Sequence, residues 1–158
     1  MSESQFLEQV RLNQGIIYKL VGLYANDAEE KKDLYQEVLL QVWKAWPAFR
    51  NDSKFSTWLY RICLNTIFTQ QRKKNQVDYK DSLEELSPSV ENNSIQQEDA
   101  KRLRLAIRQL SESDRAIIST HLDGYEHAEI ADMLGISVNH VAVKLHRIKQ
   151  QLANLLKQ

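Results

Sequence analysis

The segment Glu126–Leu152, EHAEIADMLGISVNHVAVKLHRIKQQL, reads as a helix, a three-residue turn and a second helix. Ala131 is a small residue where two helices would cross closely. Gly135 sits where the turn needs positive φ, a conformation that costs glycine little. Ser137 is placed to cap the next helix by accepting from its unpaired backbone N–H groups. Val138, Val141, Leu145, Ile148, Leu152 and Leu155 then recur at steps of three and four, as one buried helix face requires. The opposite face carries Asn139, His140, Val143, Lys144, Arg147 and Lys149, and Ser137 and His146 join them as candidate contact residues. This is the pattern of a helix-turn-helix, whose second helix enters the major groove of DNA.

Working outward, helical spacing recurs through most of the chain and strand-like alternation is scarce, which predicts an all-α fold. The chain has 158 residues, 42% of them hydrophobic, with four Gly and two Pro. That is enough for one ordinary domain or two small ones. Before the helix-turn-helix, a helix is expected from about Lys101 to Leu110. A capping signal at Ser111, with Asp114 three residues on, opens another that runs to Leu122.

Three long helical patterns fill the first half. Phe6, Val10, Ile17, Leu20, Val21 and Tyr24 form one amphipathic series ending near Asn26-Asp27. A second begins after Asp27 and passes through Leu34, Val38, Leu39, Val42 and Trp46 to Pro47, which stops it. Ala48 to Lys54 is polar and expected to be a loop, and a third helix is expected from about Trp58 to Lys73. Among the aromatics Trp43, Trp46, Phe55, Trp58 and Tyr60, most are assigned to the core, because aromatics at helical spacing usually pack. Phe49 is the one expected to be exposed.

Charge separates the chain further. The formal net charge is zero, with 21 basic and 21 acidic residues. Residues 61–75 nevertheless carry a net +4, residues 76–100 a net −6 and residues 137–158 a net +4. Two basic stretches are thus divided by an acidic one, and the arrangement says more about partners than the total does. The acidic stretch also contains Pro88 and lacks a sustained apolar face. It reads as a flexible linker over 76–100, with a short helical turn around Leu83 to Leu86. The expected organisation is residues 1–75, the linker, and residues 101–158.

No catalytic or metal constellation is present in the sequence. His121, His127, His140 and His146 have no thiolate partners, and neither an HExxH motif nor a Gly-rich phosphate loop occurs. No metal and no cofactor is expected, and the chain does not read as an enzyme. Cys63 is the single cysteine, which excludes an internal disulfide and suits a reducing, cytoplasmic compartment. Its apolar neighbours Ile62 and Leu64 favour a buried, inert thiol. Neither a secretory signal nor a segment suited to membrane insertion is read from the sequence.

Asp33-Leu34-Tyr35-Gln36-Glu37-Val38, then Trp43, then FSTWLYRICLN from Phe55 to Asn65, resembles the second conserved region of bacterial RNA polymerase sigma factors. The similarity is to the extracytoplasmic-function (ECF) subfamily, which has a DLxQEVF-like segment, a following Trp and a WLxxIxxN helix ending in basic residues. LSESDRAIISTHLDGYEHAEIADMLGISVNHVAVKLHRIKQQL resembles the fourth region of the same proteins. Two motif sets in the right order are far more specific than a lone helix-turn-helix.

The resemblance implies a division of labour. The first domain would be a region 2 helical bundle that binds the clamp of core RNA polymerase and recognises the −10 promoter element. The second would be a region 4 helix-turn-helix that binds the polymerase flap and reads the −35 element. Asp33, Gln36 and Glu37 would face the clamp, with Leu34 and Val38 buried beneath them. Carboxylates there suit a basic partner and disfavour phosphate. Phe49, Arg50, Asn51, Asp52, Ser53, Lys54 and Asn65 match positions around an extruded non-template base, whose flipping costs a few kcal/mol. Arg61, Arg72, Lys73 and Lys74 would add phosphate contacts.

In the reading helix the family usually has a small polar and a basic residue where this chain has Val143 and Ala142. The family's base contacts are therefore not carried over. Apolar contact to a thymine methyl fits Ala142 and Val143, and phosphate or guanine fits Lys144 and Arg147. The two promoter elements lie roughly 50 Å apart, and a linker of about 24 residues reaches roughly 80 Å. The resemblance also implies control by an anti-sigma factor. Two rival readings stand beside it: a helix-turn-helix regulator that binds duplex DNA without polymerase, and a sigma-like protein-interaction adaptor.

Overall fold

The computed structural model describes residues 2–50, 52, 54–77 and 95–157. Among these there are eight α-helices and no strand, an all-α architecture. The chain divides into two compact units, Met1–Leu86 and Ser87–Gln158. The acidic segment 78–94, including the turn expected at Leu83 to Leu86, lies outside the described residues.

The first unit contains α1 (Glu3–Leu12), α2 (Gln14–Tyr24), α3 (Ala28–Ala45) and α4 (Phe55–Val77). The single series expected from Phe6 to Tyr24 is in fact two helices broken at Asn13. There φ is −115° and ψ 16°, and the residue is at once the end of α1 and the start of α2. The Asn13 side-chain amide donates to the Gln9 carbonyl at 2.8 Å. Short polar side chains offer the backbone this local alternative to a continuing helix. Other boundaries follow their chemistry. Ser2 and Gln5 form a reciprocal capping box at 3.2 and 2.9 Å. Asp27 accepts from the Glu30 N–H at 2.7 Å to open α3. Pro47 sits in a 3₁₀ turn, Trp46–Ala48, that ends it.

Helices α2, α3 and α4 pack on one another around Ile17, Leu20, Val38, Val42, Leu59, Tyr60, Cys63 and Ile67, all inaccessible to solvent. The buried Tyr60 keeps its hydroxyl satisfied by accepting from Lys19 Nζ at 2.6 Å, as a buried polar tip requires. Helix α4 extends to Val77, beyond the Lys73 expected from periodicity.

The second unit contains α5 (Ile95–Arg108), α6 (Glu112–Leu122), α7 (His127–Leu134) and α8 (Val138–Lys157). Helix α5 starts before the expected Lys101, with Glu98 in its first turn where the helix dipole favours an anion. Arg102 of α5 donates to the Leu156 carbonyl at 2.8 Å, tying α5 to the last turn of α8. Ser111 accepts from the Asp114 N–H at 3.3 Å and opens α6. Gly135 adopts φ +71° at the end of α7, and its N–H donates to the Ala131 carbonyl at 2.8 Å. Ser137 accepts from the His140 N–H at 3.1 Å and starts α8. The core combines Ile107, Leu110, Ile117, Ile118, Ile130, Val141, Leu145, Ile148 and Leu152. The expected stripe is trimmed at its ends. Val138, the first residue of α8, is 48% exposed, and Leu155 is half-buried.

Candidate nucleic-acid interface

On α3, Leu34 and Val38 are buried, which turns Asp33 and Gln36 outward to solvent. Glu37 is half-buried and accepts from the Gln41 amide at 3.0 Å. The exposed line from Gln36 continues one and two turns on through Leu40 and Trp43, 45% and 44% exposed. Of the five aromatics of which most are expected in the core, Trp43 is the exposed one, its ring edge-on to Phe6 at 5.1 Å. Spacings of four and seven from Gln36 already place both apolar residues on one face with it, so the signal was available in the sequence.

The turn after α3 is held by aromatics. Trp46 is buried, Phe49 stacks on it at 5.7 Å, and Phe49 also lies 4.8 Å from Trp58 and 5.7 Å from Phe55. Phe49 is thus half-buried in a cluster instead of exposed as expected, because the chain turns back over Trp46 and the Phe49 N–H donates to the Trp46 carbonyl at 3.0 Å. Arg50, Asp52 and Lys54 beside it are exposed; Asn51 and Ser53 lie outside the described residues.

On α4, Asn65, Arg72 and Lys73 are exposed and Arg61 is half-buried. The structure brings together residues that the sequence assigned to different partners. Asn65 and Lys73 line an open polar cleft of about 220 Å³ with Glu37, Gln41 and Thr69. Arg50, Asp52 and Lys54 are not among the residues lining it.

In the second unit, Ser137 at the cap of α8 and Asn139, His140, Val143, His146, Arg147 and Lys149 on it are all exposed, while Val141, Leu145 and Ile148 are buried. Lys144 departs from this set. Its Nζ lies 2.9 Å from Asp114 Oδ1 on α6, with both side chains largely buried. The rings of His121 and His127 lie 6.3 Å apart. Burial first, then the charges of Lys149 and His127, push His121 below the usual imidazole value.

Burial also pushes the Cys63 thiol up to about 12, which leaves no thiolate for chemistry or metal binding. Among the described residues no group of three His, Cys, Asp or Glu is placed to hold a metal ion, and no helix is long and apolar enough to cross a membrane.

One unit thus sets the α3 face of Asp33, Gln36, Leu40 and Trp43 beside the basic α4, and the other holds a helix-turn-helix. Residues 9–77 match Sigma-70 region 2, and residues 100–152 match Sigma-70, region 4. Among relatives, the ECF RNA polymerase sigma-E factor of Escherichia coli (strain K12) is 31% identical over 137 residues, 77% of this chain and 71% of that one. The ECF RNA polymerase sigma factor SigM of Mycobacterium tuberculosis (strain H37Rv) is 28% identical, covering 89% and 71% of the two chains. Among solved structures, the sigma factor RpoE of Bartonella quintana, in complex with the anti-sigma factor NepR, matches with a TM-score of 0.82 over 97% of both chains at 21% identity. CnrH, in complex with the cytosolic domain of CnrY, matches with a TM-score of 0.70 over 99% of this chain and 90% of its own, also at 21% identity. The chain belongs to the ECF RNA polymerase sigma factors, and its function is to direct promoter-specific initiation by bacterial RNA polymerase.

Proposed function

We propose that the chain carries out this work through three surfaces. Asp33, Gln36 and Glu37 on α3 dock on a basic face of the core polymerase clamp, with Leu40 and Trp43 adding apolar area at the centre of the contact. The loop 49–54 and the α4 residues Arg61, Asn65, Arg72 and Lys73 engage the −10 element. In that surface Phe49, packed on Trp46 and Trp58, holds the start of the loop beside α4, where the polar residues meet an extruded base. The exposed face of α8 reads the −35 element, while the rest of the second unit meets the flap. Phosphate contacts from Arg72, Lys73, Arg147 and Lys149 supply salt-dependent affinity, and base-edge contacts supply the address.

The observation that carries this reading is the pairing of an outward Asp33/Gln36 face with an inward Leu34/Val38 face on α3. A regulator that binds duplex DNA alone has no use for an exposed Leu40–Trp43 pair beside Asp33 and Gln36 in its other unit. The chain itself is not catalytic: polymerase performs the chemistry. Its place of work is the cytoplasm, with its polymerase and promoters. One solved structure holds the sigma factor RpoE with the anti-sigma factor NepR, and the other holds CnrH with the cytosolic domain of CnrY. A partner of that kind, masking the α3 face, would keep this chain from core.

Separating assembly from opening tests the surfaces. Asn65→Ala assembles with core as the parent does and loses about 1–3 kcal/mol, roughly five- to a hundredfold, in promoter opening, the cost of one lost polar base contact. Native-gel assembly and permanganate footprinting measure the two steps. Equal loss in both would make Asn65 a packing residue and remove it from the DNA surface.

A further inference from the structure

We infer that Val143 is the specificity-determining residue of the reading helix, recognising a thymine through its C5 methyl, while Lys144 is withdrawn from DNA into an ion pair with Asp114. The inference rests on the sigma-factor reading above and names what its second unit reads.

Helix α8 buries Val141, Leu145, Ile148 and Leu152, which fixes the line facing solvent. Asn139, Val143 and His146 follow at steps of four and three along that line, all exposed, with Arg147 beside them. Val143, 48% exposed, therefore sits nearly opposite the core stripe, the position where an amphipathic helix ordinarily carries a polar residue. A lone exposed valine is unremarkable. This one is β-branched and thus a weak helix former, and it stands within the first two turns of a helix whose N-terminal part approaches base edges.

The neighbouring cation does not share that surface. Lys144 Nζ lies 2.9 Å from Asp114 Oδ1, with the two side chains only 23% and 18% exposed. Asp114 is held in the first turn of α6, where its own N–H donates to Ser111. Taking Lys144 to a phosphate would leave a largely buried carboxylate without its counter-ion, a cost that a solvent-exposed phosphate contact does not recover. The reading line thus presents an amide, two methyl groups and an imidazole. Of the four bases, only thymine shows a methyl in the major groove, and an asparagine amide pairs best with adenine N6 and N7. Asn139 one turn before Val143 suits the two edges of A·T pairs.

Deoxyuridine differs from thymidine only in the missing C5 methyl, so it isolates the contact. The holoenzyme formed from core polymerase and the full chain is bound to a promoter it transcribes. Each thymine of the −35 element, on either strand, is then replaced singly by deoxyuridine. At one position the parent loses about fourfold in affinity, the worth of one buried methyl. Val143→Ala binds core normally and shows less than about a twofold response at that same position. In parallel, Arg147→Ala reduces the slope of log K against log salt by about one, while Asp114→Asn with Lys144→Met leaves it unchanged. Normal promoter binding with no uridine-sensitive position, or equal sensitivity in parent and Val143→Ala, overturns the role of Val143. A reduced slope in the Lys144 double variant overturns the withdrawal of that lysine. Failure to bind core at all overturns the sigma-factor reading itself.

Discussion

Trp46→Ala destabilises the N-terminal unit by about 3–5 kcal/mol, the usual cost of deleting a buried aromatic, and leaves the C-terminal unit standing. Trp46 is 7% exposed and its ring lies within 6.2 Å, centre to centre, of the rings of Phe6, Phe49, Phe55 and Trp58. Its removal leaves a void among four rings that cannot close without moving the start of α4. The loss is a large fraction of the roughly 5–15 kcal/mol that holds a domain folded. It also frees Phe49, and with it the loop, so promoter opening fails even where some folded protein remains. All three tryptophans, Trp43, Trp46 and Trp58, lie in the first unit. In urea, fluorescence of the remaining two therefore reports that unit, whereas far-ultraviolet circular dichroism reports both. The expected result is a fluorescence midpoint displaced to low urea, with the later part of the dichroism transition unmoved. A loss below about 1 kcal/mol would mean that the cluster is surface decoration and does not organise the loop.

Asp33→Arg weakens binding to core polymerase by about 2–4 kcal/mol, roughly 30- to 1,000-fold, with the fold intact. The substitution removes one attractive contact and places like charge against a basic partner, and such juxtaposition costs several kcal/mol. Because Asp33 is exposed on α3, above the buried Leu34, urea stability should change by no more than about 0.5 kcal/mol. Competition against the parent chain for a limiting amount of core measures the first quantity, and the fluorescence transition the second. Unchanged competition would remove α3 from the docking surface.

How much was legible in the sequence depends on how local the chemistry is. The reading-helix turn was fully legible, because Gly135 and Ser137 act within a few residues of themselves. The same is true of Asp27, Ser111 and Pro47, and of the burial of Leu34 and Val38 beneath Asp33. The break at Asn13 is not expressed by the apolar pattern, because Ile17 and Leu20 stay in phase with Phe6 and Val10 across the polar step at Asn13-Gln14. The side chain that diverts the backbone there is also tolerated within helices. The placement of Phe49 depends on a turn folding back over Trp46, which helical period cannot express. The partner of Lys144 is not legible, because nothing local distinguishes this lysine from Arg147. Its carboxylate lies thirty residues earlier, on another helix. The shared cleft of Glu37, Asn65 and Lys73 likewise arises only when α3 and α4 are brought side by side.

Whether this chain gives core polymerase a promoter address is read out by transcription in vitro, with purified core, the full chain and a library of genomic promoter fragments. Core alone should yield little specific transcript. With the chain added, a set of start sites should appear that shares two spaced elements, and Asp33→Arg should abolish them. A chain that binds the same fragments as free protein, yet adds no start sites to core, would contradict the sigma-factor reading.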